Sequence, residues 1–293
     1  MNALTQSIRL AGAIWTHPAN RGRRLRAVLR GVAWQIDKRL RGRAWVVPFH
    51  GLKLKCFPDS TSSSAVIYFN GLPDFWEMSF VLTYLRAGDQ VLDVGANVGV
   101  YTLLAASRVG DQGSVDAMEP QAAVAARIEE QCSLNGLKNV RVHRFAAGDR
   151  SETASFGYSE ESSTMHLRRE SEARREGTLV QTIRLDELNP DKRYAFGKMD
   201  IEGAEPLALR GATERLRSGN PPVWLLELAG YSQLYGVSSD ELVAYLADAG
   251  YRTAVYDPEA RVLRYTDQPW TLGQQNILAI ARDKAQEIAA RLR

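Results

Sequence analysis

The stretch VLDVGANVGVYT at residues 91–102 limits what this chain can fold into more than any other. Val91, Leu92 and Val94 have the apolar, β-branched character of a buried strand, and GANVG at 95–99 turns it sharply toward a helix. Glycine suits such a turn, because a side chain would hold the backbone away from a ligand and because glycine adopts a positive φ without strain. A strand feeding a helix in this way opens a β-α unit and predicts an α/β fold with a mostly parallel sheet covered on both faces. Amides at the helix start would then offer a seat for a carboxylate or phosphate.

The same rhythm continues. Apolar strand cores at 91–94, 114–118 and 140–146 alternate with helical stretches that begin at Val98 and Gln121. The order resumes with a strand at 194–199, a helix from Glu205, a strand at 223–228 and a helix over 239–249. YRTAVYD and NILAIAR read as terminal strands able to pair antiparallel. A polar, charged segment at 150–185 interrupts the alternation and reads as an inserted hairpin or loop. Ahead of the core, LKLKCF and AVIYF read as two strands separated by the turn-forming PDSTSSS, followed by a helix from Asp74 to Leu85. Four regions result: a basic helical extension at 1–50, a strand hairpin and helix at 51–88, the α/β domain at 89–282, and a helical tail at 283–293.

Composition excludes little. A net charge of +3 is too mild to argue for nucleic acid, and no apolar run approaches the roughly 20 residues that span a bilayer. A secretory signal is not expected, since the apolar run from Ile8 to Trp15 is short and broken by Arg9 and Gly12, and a transit peptide is not expected, since the basic start runs directly into folded-looking sequence. Cys56 and Cys132 lie far apart and read as free thiols in a reducing, cytoplasmic setting. The charge is uneven, however. Nine basic residues lie between Arg21 and Arg43, with Asp37 as the only acid. There Leu25, Val28, Leu29, Val32, Ile36 and Leu40 recur at helical steps. The expectation is a helix packed on the main domain with a solvated basic face; the alternative is a helix resting on the anionic inner face of a membrane.

Three elements point to a ligand. Gly95, Asn97 and Gly99 fall on alternate residues, unlike the G-x-G-x-x-G that seats a pyrophosphate. Asp93 ends the strand just before them, where a carboxylate suits a ligand with an ammonium and a sulfonium and repels a pyrophosphate. Glu119, with Pro120 beside it, ends the next strand 26 residues after Asp93 and can accept both hydroxyls of a ribose. Gly148 and Asp149 end the third strand, where an adenine edge would lie. Together these fit S-adenosylmethionine.

At this point the chain resembles the FkbM family of methyltransferases. The matching pieces are VLDVGANVGVYT, MEP, FAAGD, TIRLDEL, KMDIEGAE and VWLLEL, within residues 65–282. The resemblance implies a Rossmann-like class I fold with a seven-stranded sheet whose last strand is antiparallel, and O-methylation of a hydroxyl on a small molecule, sugar, glycolipid or natural product. It implies that Asp93, Gly95, Asn97, Gly99 and Thr102 line the methionine end, that Glu119 and Pro120 hold the ribose, and that Gly148 and Asp149 lie near adenine. The basic helices fall outside it.

An alcohol nucleophile benefits from a base that accepts its proton. Asp200 ends a buried strand at the sheet edge where ligands bind in open α/β folds. It is a candidate base or a contact to the cofactor amine. Glu202 is the alternative base, and Glu227 ends the neighbouring strand. These three acids could instead hold a divalent cation, although no His or Asn completes a set and no metal is assigned. Glu205 reads as a helix-dipole residue. His143 reads as structural, and His166, in the inserted segment, is a further candidate base. Two other functions remain open: a nicotinamide oxidoreductase, which the glycine spacing disfavours, and a non-catalytic scaffold, which buried acids disfavour because they cost desolvation.

Overall fold

The computed structural model describes residues 3–159, 162–169, 178–228, 231–272 and 276–293. Two helices come first, α1 (Ala3–Thr16) and α2 (Arg24–Arg41). They cross closely at Gly31, where a Cβ would press on Ile14. α2 buries Ala27, Gly31 and Trp34. The leucine stripe expected to pack on the main domain points the other way, with Leu25, Leu29, Val32, Ile36 and Leu40 exposed. Small residues and one tryptophan make the closer-fitting face, so they take the interior.

β1 (Trp45–Phe49) and β2 (Leu52–Cys56) form an antiparallel hairpin through His50 and Gly51, both at positive φ. The partner of LKLKCF is therefore residues 45–49, inside the region expected to be helical. AVIYF is not a strand at all. It lies in α3 (Thr61–Tyr68), which begins where the Ser60 side chain accepts the Ser63 amide at 3.2 Å. A short apolar run fits either structure, and here the serine cap decides it. The buried Asn20 amide donates to the carbonyls of Ile14 and Tyr68, and Arg30 donates to that of Ile67, so the extension is fastened to α3.

α4 (Phe75–Tyr84) leads into the alternation: β3 (Gln90–Val94), α5 (Val100–Val109), β4 (Ser114–Met118), α6 (Ala122–Asn135) and β5 (Val140–His143). The strand expected over 140–146 breaks, and β6 (Ala146–Ala147) turns into a second sheet with the inserted β7 (Thr153–Ser159), β8 (Ser162–Arg169) and β9 (Thr178–Ile183), in the order β6-β9-β7-β8. Next come β10 (Phe196–Met199), α7 (Glu205–Arg210), α8 (Thr213–Arg217), β11 (Val223–Glu227), α9 (Ser239–Asp248), β12 (Tyr251–Asp257), β13 (Val262–Tyr265), β14 (Asn276–Ala281) and α10 (Ala285–Arg291).

Among the described residues the main sheet has eight strands, ordered β13-β12-β14-β11-β10-β3-β4-β5. β11, β10, β3, β4 and β5 run parallel, and β14 is antiparallel to both β11 and β12. This is the Rossmann-like class I arrangement with an antiparallel last strand, extended at one edge by β13. Its centre is buried on both faces, as parallel strands under helices require: all four residues of β10, Lys198 among them, are buried. A polar cluster locks one end, where Asp116 accepts from His143 (2.7 Å), Lys192 (2.5 Å) and Tyr194 (2.9 Å). His143 is therefore structural. Burial alone would raise the Asp116 pKa, but these partners bring it down to about 2. Burial raises the thiols of Cys56 to about 12 and Cys132 to about 11, as suits inert cysteines.

Candidate active site

The carboxyl ends of β3, β4 and β10 lie side by side, because β3 is flanked by the other two. Above them opens a cavity of about 470 Å³. β3 and its turn contribute Val94, Gly95, Ala96 and Asn97; β4 contributes Met118, Glu119 and Pro120. Ala146 and Ala147 close one side, and Lys198, Asp200 and Glu202 another. Pro73, Asp74, Tyr101, and Ser62 and Ala65 of α3 complete the wall.

The glycine turn brings two strands together. A Cβ at Gly95 (φ +78°) would overlap the Asp200 carbonyl oxygen, so only glycine lets β3 and β10 approach here. Gly99, at φ +85°, starts α5 against Ile128 and does not line the cavity. The turn itself uses its amides within the protein. Gly95 and Ala96 donate to the Met118 carbonyl, Asn97 to Glu119, Val98 to the Asn97 side chain, and Gly99 to the Ala96 carbonyl. No amide from 95 to 99 remains for a phosphate.

Glu119 is 5% exposed, and its carboxylate takes the amides of Asn97 (3.1 Å) and Gln121 (3.0 Å), one on each oxygen. A carboxylate has about four lone-pair directions, so acceptor capacity is left over facing the cavity. Burial raises its pKa, and the two amides pull it back. Asp93 is deeper than expected. It is buried and absent from the cavity wall, bonded through Oδ2 to the Thr102 hydroxyl at 2.6 Å, while buried Oδ1 has no hydrogen-bond partner. Thr102 thus supports Asp93 from inside α5. Gly148 and Asp149 also lie outside the wall, where Phe145, Ala146 and Ala147 take their place.

Lys198, in KMDIEGAE, carries no signal in the sequence that marks it as a site residue. Lys198 is 6% exposed, 3.0 Å from Asp200 and 4.0 Å from Asp93, and its ammonium lies over the Tyr101 ring. Burial opposes its charge, but Asp200 and Asp93 outweigh that and its pKa ends above the usual value. Tyr101 in turn donates to Asp74 at 2.9 Å. Among the described residues, the wall holds four acids (Asp74, Glu119, Asp200 and Glu202) and one cation, Lys198.

Glu202 sits at φ +57° and lines the cavity. Its pKa is raised, first by burial and then by the charge of Asp200. Glu227 does not line the cavity. Burial, then the charges of Asp200, Glu202 and Glu205, raise its pKa well above the ordinary glutamate value. Glu205 accepts the Ile201 amide at 2.9 Å and closes the turn into α7. His166 lies in β8, opposite Gly157, and its side chain is outside the described residues. No group of three or more His, Cys, Asp or Glu among the described residues is arranged to hold a metal ion.

Comparison with known proteins gives the family. The profile of the Methyltransferase FkbM domain matches residues 93–253. Fibrillarin of Aeropyrum pernix, crystallised with natively bound S-adenosyl-L-methionine, is 13% identical over 70% of this chain and 73% of its own, with a TM-score of 0.38. An O-methyltransferase of Thermotoga maritima is 15% identical over 70% of this chain and 63% of its own (TM-score 0.38). A SAM-dependent methyltransferase of Aquifex aeolicus is 18% identical over 72% and 92% (TM-score 0.40). No curated protein matches the chain.

Proposed function

The chain belongs to the FkbM family of methyltransferases, and from that premise we propose that it moves a methyl group from S-adenosylmethionine to a hydroxyl of a small molecule, sugar or glycolipid. One observation carries the reading: among the described residues the cavity is lined by four acids and one cation, and every amide of the glycine turn is already bonded. Such a wall repels a pyrophosphate and attracts a cationic sulfur nucleoside. The nicotinamide alternative is disfavoured by that acidic wall and by a turn whose own amides are taken.

Each part of the wall has work to do. Glu119 would hold a ribose diol with the acceptor capacity left over from Asn97 and Gln121. Asp200 and Lys198 form a pair of opposite charges 3.0 Å apart that complements an amino acid's ammonium and carboxylate. Asp93 acts from below by keeping Lys198 charged. When bound, the cofactor supplies an electrophilic methyl on a positively charged sulfur. Glu202, whose raised pKa brings it closer to that of an alcohol, would take the proton that the hydroxyl gives up on methylation. Alignment of the two reactants in a shielded cavity supplies much of the rest.

The test is transfer of radiolabelled methyl from S-adenosylmethionine to a panel of hydroxylated acceptors. Labelled product that survives both alkaline hydrolysis and acid, as an ether does, is the expected result. Label recovered only on an amine, or retained cofactor that never turns over with any acceptor, would reverse it. Gly95→Ala should abolish transfer, because its Cβ overlaps the Asp200 carbonyl.

A further inference from the structure

The outward face of α2 is apolar from end to end. Leu25, Leu29, Val32, Ile36 and Leu40 are exposed, from 50% at Val32 to 79% at Leu40. At helical spacing they fall within about 80° of arc, opposite the buried Ala27, Gly31 and Trp34. On the adjoining α1, Trp15 is 46% exposed, with the Arg24 guanidinium 5.9 Å from its ring centre. A contiguous apolar strip of this kind marks a surface that meets something.

Charge says what it meets. Arg23, Arg24, Arg26, Arg39, Arg41 and Arg43 surround the strip and are exposed. Asp37, the only acid from 21 to 43, has its side chain 13% exposed and bonded to Arg41 and Trp45. We propose that this face docks on an anionic membrane surface, with α2 lying in the interfacial plane, its leucine strip among the acyl chains and its arginines at headgroup phosphates. The docking stands on this surface alone and is independent of the methyl-transfer reading.

Two alternatives fit less well. An 18-residue helix is about 27 Å long, and a strip about 10 Å wide covers roughly 300 Å², well short of the ~800 Å² per partner of a stable dimer. A two-fold pairing would also set the same arginines against each other. Nor does α2 span a bilayer: among the described residues no helix is long and apolar enough to cross one. Behind the docked face, α2 is fastened to α3 through Arg30 and the Ile67 carbonyl, and α3 supplies Ser62 and Ala65 to the cavity.

The experiment is co-sedimentation of the full chain with vesicles of phosphatidylcholine containing about 30 mol % phosphatidylglycerol, against phosphatidylcholine alone. The wild type should pellet with the anionic vesicles and be released as added salt shortens the screening length. Leu29→Ser/Ile36→Ser should lower the partition on the order of tenfold while its circular dichroism and melting stay unchanged, since both side chains are already exposed. Arg24→Gln/Arg26→Gln should remove the preference for anionic lipid. Equal binding to both vesicle types, undiminished binding of the serine variant, or a wild-type dimer in light scattering that the serine variant dissolves would each overturn the proposal.

Discussion

Glu202 holds a left-handed backbone conformation, φ +57°, that a side chain of its length adopts only at a cost of about 1 kcal/mol or more. The conformation brings its carboxylate to the cavity wall two residues beyond Asp200. Burial and then the charge of Asp200 raise its pKa, which makes it a stronger proton acceptor than an ordinary glutamate. As a base it works only when deprotonated, so kcat should rise with pH through a limb lying above the ordinary glutamate value. Glu202→Gln should lower kcat by roughly 10²- to 10⁴-fold, leave cofactor affinity within about threefold, and erase that limb. A pH profile of single-turnover rates for both proteins decides it, and an unchanged limb would assign the proton to another group.

Elements carry the site as much as residues do. α3 brings Ser62 and Ala65 to the cavity, and its first turn depends on Ser60 accepting the Ser63 amide. Ser60→Ala should therefore cost about 1 kcal/mol, read as a lower midpoint in urea with an unchanged slope. A midpoint identical to wild type would mean that the cap is idle. This element also shows where sequence reading stops. AVIYF is too short for its period to distinguish strand from helix, and the serine cap ahead of it, one of several serines in a turn-like run, decides. The glycine turn was legible because its requirement is local: Gly95 must lack a Cβ whatever lies beyond it. Glu119 was legible for the same reason, at a strand end a fixed distance on. Lys198 gave no local signal, since its partners Asp93 and Asp200 meet it only when β3 and β10 pair. On α2 the period gave an apolar stripe correctly, but periodicity does not say on which side of a helix the protein lies, and the side expected was the wrong one.

At the scale of the whole molecule, the cavity joins parts of the chain from Ser62 to Ala204, so a ligand seated there should stabilise the fold as a unit. At a ligand concentration of about 100 times Kd, binding to the native state adds about 2.7 kcal/mol. For a chain of this size each kcal/mol raises Tm by about 2 °C or a little more. S-adenosylhomocysteine should therefore lift the melting temperature by roughly 5 °C. NAD should lift it by less than about 1 °C, because the amides at 95–99 that would hold its pyrophosphate are all bonded within the protein. The same measurement separates the two surfaces of the molecule. Leu29→Ser/Ile36→Ser lies on the far side of α2 from the cavity and should keep the full shift, whereas Glu119→Gln, one acceptor short of its two amides and the diol together, should lose most of it. A shift with NAD alone would remove the sulfur nucleoside from the cavity and leave the face of α2 to be judged by the vesicles.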